Sequence, residues 1–220
     1  QSSAASDVYK RQYIDGGSDD ERTLNRNTEA FDDCDLVPKI LANVGKPDLS
    51  TTVFGRKISM PIFLSPAAMQ RLYHPEGDKA SARAAEKFNT FYSMSTMSNN
   101  SIEQIANLSS GPKLFQLYIH KDQSITDDLI DRCKRANFDG LCLTVDTIVA
   151  GNRERDHRTG FTTPPKLTLK SLFSFAIKPK WVFDYLTNEK FELSNVKNKT
   201  DKGTNITLSL IHISEPTRRW

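Results

Sequence analysis

Polar side chains with chemical use gather in one stretch of this chain. Gln116 and Tyr118 close the apolar run KLFQLYI, Thr144 and Asp146 close GLCLTVDT, and Arg153 follows in GNRERD. A carboxamide such as Gln116 both donates and accepts, and with the Thr144 hydroxyl it suits the polar edge of a heteroaromatic ring. Tyr118 can donate to a substrate carbonyl or hydroxyl. The Arg153 guanidinium can grip a carboxylate through two parallel hydrogen bonds, which a lysine does not reproduce. Each residue also has a plainer role. Tyr118 can pack with its hydroxyl in water, Arg153 can pair with Glu154 or Asp156, and Gln116 and Thr144 can be satisfied core groups. Upstream, Ser95 ends NTFYSMST, and Ser65-Pro66-Ala67-Ala68-Met69 follows ISMPIFLSP. Small residues at such a turn let backbone groups approach a flat ligand.

The elements that must carry these residues alternate. Apolar runs at 58–66, 89–96, 114–119 and 140–147 read as strands, and 75–88, around 101–107, and 125–137 read as helices. Pro75 suits a first helical turn, with Glu76 and Asp78 near the positive end of the helix dipole. Ile125, Leu129, Ile130 and Cys133 make one apolar helix face. Strands separated by helices imply right-handed crossovers and a parallel sheet. The doubly wound sheet and the eightfold barrel both remain open on this ground. Either places chemistry at the strand ends, where the polar residues stand.

The flanks are less regular. From Tyr13 a glycine turn and a polar helix ending before Pro38 read as a lead-in. After Thr147 a polar loop gives way to KLTLKSLFSFAIKPKWVFDYL (166–186), which mixes aromatics with Lys166, Lys170, Lys178 and Lys180. Such a segment suits a membrane surface or a partner, or equally a helix covering its own protein. Residues 1–12 and 208–220 fit poorly with what lies between and are expected to be non-native, so His212 and Trp220 receive no role.

Composition narrows the classes. The 220 residues are 37% hydrophobic and 26% charged with net charge +3, ordinary for a globular chain and too balanced to argue for nucleic acid. Cys34, Cys133 and Cys142 have neither CxxC spacing nor an even count, which points to a reducing, cytoplasmic-type compartment. No run approaches a membrane span. No GxGxxG follows the first strand and no GxxxxGK[ST] occurs, against a nicotinamide Rossmann or P-loop enzyme. His74, His120 and His157 are scattered and read as surface histidines, so no metal is expected.

In order, YIDGGSDDERTLNRN, ISMPIFLSPAAM, HPEGDKASARAA, SMSTMSNNSIEQIA, LFQLYIHKD and LTVDT with GNRERD resemble the FMN-dependent α-hydroxy-acid oxidase and dehydrogenase family over about residues 13–200. The resemblance implies a TIM-type (β/α)8 barrel, with only its N-terminal half, about four βα units, in residues 13–207 and an excursion at 148–200. It implies FMN contacts from Pro66, Ala67, Ala68, Ser95, Gln116 and Thr144. Tyr13, Tyr118 and Arg153 would meet the substrate, with Tyr118 and Asp146 catalytic, Asp146 orienting a histidine base. YIDGG and KPKWVFDYLTNEKFELSNV are most similar to bacterial L-lactate dehydrogenases. The expected reaction is therefore L-lactate to pyruvate, with a quinone or cytochrome acceptor, a homo-oligomer, and possible peripheral contact at the inner face of the cell membrane through 166–186. A glycolate or other 2-hydroxy-acid oxidase using oxygen is the alternative, and a non-catalytic partner-binding barrel fragment is another. The family's SNHGGRQ-type motif, flavin-charging lysine and phosphate-binding glycine loops do not occur in these residues, so this chain alone is expected to be inactive.

Overall fold

The computed structural model describes residues 15–41, 45–146, 151–159, 187 and 192–196. In chain order these form α1 (Arg22–Glu29), β1 (Thr51–Val53), β2 (Arg56–Ile58), a 3-10 turn (Gln70–Leu72), α2 (Asp78–Lys87), β3 (Tyr92–Ser95), α3 (Ile102–Leu108), β4 (Lys113–Leu117), α4 (Gln123–Arg135), β5 (Gly140–Leu143) and α5 (Glu154–Thr159). The chain divides into two compact units, Gln1–Asp48 with Gly151–Thr187, and Leu49–Ala150 with Asn188–Trp220.

In the first unit, polar contacts join sequence-distant turns. Asp19 N donates to Asn152 O and Asn152 Nδ2 to Asp19 Oδ1, both at 2.8 Å. Arg155 pairs with Glu21. α1 buries none of its residues, as its polar sequence requires.

The second unit is a parallel sheet in the order β3-β4-β5. Parallel pairing sets Ser95 opposite Gln116 and Gln116 opposite Cys142. Alternation then places Tyr92, Met94, Phe115 and Leu117 on one face and Ser93, Ser95, Leu114 and Gln116 on the other. The first face packs against Ala82 and Ala85 of α2, Ile102 and Ile105 of α3, and Ile125, Leu129 and Cys133 of α4. Each helix starts for a local reason. Ser101 and Gln104 form a reciprocal capping box on α3. The Asp122 carboxylate accepts the Ser124 N–H at 3.0 Å to cap α4. On β5 the same face carries Leu141 and Leu143, both exposed, and the far edge of β5 has no strand partner among the described residues. No closed barrel forms among these residues.

The strand expected at 58–66 is not continuous. Ile58 instead ends a β1-β2 hairpin whose two-residue turn, Phe54 and Gly55, has φ of 48° and 73°. Leu64 alone makes a parallel bridge to Tyr92, between the Phe91 carbonyl and the Ser93 amide. The helix expected from Pro75 begins at Asp78, because Gly77 adopts φ +52° and holds residues 75–77 in a turn. Asp78 is the first residue of α2, at the positive end of its dipole as expected. It is fully buried and accepts the Tyr92 hydroxyl at 2.7 Å.

His120 departs from the surface role expected of it, being 3% exposed, with its backbone N–H held by Thr126 Oγ1 at 3.0 Å. His74 is exposed, as expected, and the His157 side chain is outside the description. Residues 160–186 of the 148–200 excursion, with Lys166, Lys170, Lys178 and Lys180, and both termini also lie outside the described residues. No helix among those described is long and apolar enough to cross a membrane, and no His/Cys/Asp/Glu group among them could hold a metal.

Candidate functional site

Three strand ends of the second unit converge through one carboxamide. Gln116 Oε1 accepts from Ser95 Oγ at 3.2 Å and from the Thr96 amide at 3.3 Å, while its Nε2 donates to Thr144 Oγ1 at 2.5 Å. Ser95 and Gln116 are buried, and Thr144 is half-buried. Ser95, Gln116 and Thr144, expected at successive strand ends, are brought together at one end of the sheet. Their alignment follows from strand register, since Ser95 and Gln116 are paired residues and Thr144 is the first residue after β5.

Thr96 was not foreseen and completes the arrangement. Its hydroxyl donates to Gln116 O at 2.6 Å and accepts the Tyr118 amide at 3.2 Å, which continues the β3-β4 ladder past the end of β3. Tyr118 is half-buried just beyond β4. Asp146 is exposed and makes no hydrogen bond or ion pair among the described residues.

The Pro66-Ala67-Ala68 turn lies beside the loop after β3. Met69, at φ 54°, donates its N–H to Met97 O at 3.1 Å, and the Met97 amide donates to Ser95 Oγ at 3.1 Å. Gln70 fastens the turn from behind, its Nε2 donating to Ala67 O and to Asp78 Oδ1, each at 3.3 Å. Pro66 and Ala67 are exposed, so their backbone is open to a ligand.

Arg153 belongs to the first unit. Its Nε pairs with Asp156 Oδ2 at 2.5 Å and its Nη1 donates to Gly16 O at 3.0 Å. The structure therefore shows the Asp156 pairing that was its plainer role. Tyr13 lies outside the described residues.

The donor set at the strand ends can be weighed against a flavin. A Gln amide carries two N–H donors, and one is spent on Thr144. The second, and the Thr144 hydroxyl proton, have no acceptor among the described residues. The pyrimidine edge of a flavin offers carbonyl and ring-nitrogen acceptors for such donors. The residues fit the group.

The family model for FMN-dependent dehydrogenases matches residues 4–220. The chain belongs to that family. Among curated relatives, glycolate oxidase 1 of Oryza sativa is 45% identical over 159 residues, 72% of this chain and 43% of its own length. The glycolate oxidase of Spinacia oleracea is 43% identical over the same shares. Among solved structures, a monotopic membrane protein, (S)-mandelate dehydrogenase, matches 94% of this chain and 55% of its own at 28% identity and a TM-score of 0.84. A protein described as a Pediococcus acidilactici lactate oxidase matches 81% and 50% at 37% identity and a TM-score of 0.71. The family uses FMN, and the expected flavoprotein oxidoreductase class holds. The chain spans 43% of the length of the curated relatives it matches.

Proposed function

We propose that the intact protein oxidises an L-2-hydroxy acid to the 2-oxo acid with FMN as its resident cofactor, and that L-lactate is the substrate. The observation that carries the reading is the Ser95–Gln116–Thr144 network, which leaves donors for a flavin edge in a chain of an FMN-dependent family. When bound, FMN supplies the two-electron acceptor. This chain contributes the orientation: Pro66, Ala67 and Ala68 offer backbone, and Ser95, Gln116 and Thr144 fix the polar edge. The family resemblance assigns the substrate to Tyr13, Tyr118 and Arg153 and assigns Asp146 to orienting the proton-accepting histidine. No SNHGGRQ-type motif occurs in these residues, so none of their histidines is assigned as the base.

The preference for L-lactate rests on YIDGG and KPKWVFDYLTNEKFELSNV. The competing reading, glycolate oxidation with oxygen as acceptor, is favoured by the glycolate oxidases among the relatives. Anaerobic mixing of the flavin-loaded intact protein with each acid separates them. L-lactate should bleach the flavin absorbance with the higher kcat/KM, and a quinone analogue should restore it faster than oxygen. Preference for glycolate would transfer the protein to the second reading, and no bleaching by any 2-hydroxy acid would defeat both.

A further inference from the structure

Residues 192–196 form a strap fastened onto the helical side of the second unit. Ser194 Oγ donates to Asn99 O at 2.6 Å, and Asn195 Nδ2 donates to Asn100 O at 3.2 Å. Asn195 Oδ1 accepts the Ile102 amide at 3.0 Å, satisfying an open donor at the start of α3. Arg132 of α4 donates to both Asn195 oxygens, each at 3.2 Å, and also holds Glu103. Val196 is buried in the main apolar cluster.

Asn99 joins this strap to Arg71. The side chain is 2% exposed and both ends of its amide are committed. Nδ2 donates to Glu192 O at 2.9 Å, and Oδ1 accepts the Arg71 amide at 3.1 Å. Arg71 lies in the 3-10 turn that follows Pro66-Ala67-Ala68-Met69. The Met69–Met97–Ser95 hydrogen bonds carry the same segment on to Gln116. One buried carboxamide therefore spans from the strap to the turn that directly follows the backbone which the proposed function places against FMN.

We infer that Asn99 is a positioning residue which couples docking of the 192–196 strap to the ordering of the Pro66–Arg71 segment, so that a docked strap tightens FMN binding. The inference rests on the flavin role proposed above for Pro66, Ala67 and Ala68. A backbone segment held in its binding geometry before the ligand arrives spares the ligand the ordering cost. Coupling of this kind is reciprocal, so FMN in turn holds the strap down.

The test uses the intact protein with Asn99→Ala, Ser194→Ala and the double substitution. Ser194→Ala is the milder change and keeps the question open should Asn99→Ala fail to fold. Asn99→Ala should weaken FMN binding to the apoprotein about tenfold and Ser194→Ala about threefold. The double variant should resemble Asn99→Ala, since Ser194 acts through Asn99. In the flavin-free protein, both single variants should speed amide hydrogen exchange at Met69 and Arg71. If exchange rises at 192–196 alone, or FMN affinity stays within about twofold of the parent while thermal stability drops, the strap is only structural and the inference is overturned. A parent protein that takes up no FMN would defeat the functional reading instead, and the exchange measurement would still decide the coupling.

Discussion

At the N-terminal ends of β3, β4 and β5, polar groups find partners within the chain, whereas at the C-terminal ends donors are left over. At the first end, Val53 and Ile58 of the hairpin pack on Phe91 and Leu114. Lys113 Nζ donates to Ser109 O and Gly111 O, each at 2.7 Å. Asp139 accepts the Lys113 amide at 2.8 Å and faces Arg56 at 3.5 Å. At the second end, Gln116 and Thr144 keep protons without acceptors among the described residues, and Asp146 is exposed. Saturation at one end and spare capacity at the other is how a βα scaffold separates stability from chemistry. Variants at the two ends should therefore fail in different ways.

The largest expected effect is at the saturated end. Leu114 lies opposite Gly140 in the β4-β5 register, and its Cδ2 comes within 3.0 Å of where a Cβ would stand on Gly140. That close approach explains glycine there and leaves little room for the site to relax. Leu114→Ala should cost about 2–5 kcal/mol in urea unfolding of the intact protein. The fraction that remains folded should bind FMN with parental affinity. Loss of FMN affinity without loss of stability would show that the two ends are not separate.

Gln116→Leu tests the other end and should cost less stability. It removes the acceptor of Ser95 and Thr96 and the donor to Thr144, but leucine keeps much of the buried volume, so no large cavity opens. FMN affinity, measured by fluorescence titration of the apoprotein, should fall about 30- to 100-fold, or about 2–3 kcal/mol. A variant as unstable as Leu114→Ala with unchanged FMN binding would make Gln116 a core group and nothing more.

The same contrast decides what was legible in the sequence. β3, β4 and β5 could be read because each apolar run alternates with an amphipathic helix, as Ile125, Leu129 and Cys133 show on α4. Ser95, Gln116 and Thr144 stood out as polar residues ending apolar runs. The hairpin did not, because three-residue strands carry almost no period, and its turn sets Phe54 at φ 48°, where Asn or Gly would announce it. Thr96 and Asn99 were missed for another reason. Their partners are backbone groups far along the chain, Gln116 O and Tyr118 N for one, Arg71 N and Glu192 O for the other. No residue type marks such a contact in advance. His120 was misread because a lone histidine in a polar loop gives no sign that a neighbouring helix will bury it.

The smallest effect sharpens the comparison through two buried titratable side chains, one at each end. Burial lowers the pKa of Lys113 below that of an ordinary lysine and that of His120 below the usual 6.5. Lys113 has two carbonyl acceptors, whereas His120 Nε2 has no partner among the described residues. In the unfolded chain His120 gains its proton near pH 6.5, but in the folded state only at lower pH. The folded protein therefore keeps its full stability from this group above about pH 6.5 and loses it progressively as pH falls toward the folded value. The window for Lys113 opens from 10.5 downward. Urea midpoints of the intact protein between about pH 5 and 8 should decline on the acid side, and His120→Gln should flatten that decline. An unchanged slope in the variant would show that His120 does not carry it, since Glu103, whose pKa the Arg132 hydrogen bonds hold at about 2, gives up its contribution only below its ordinary value of 4.5.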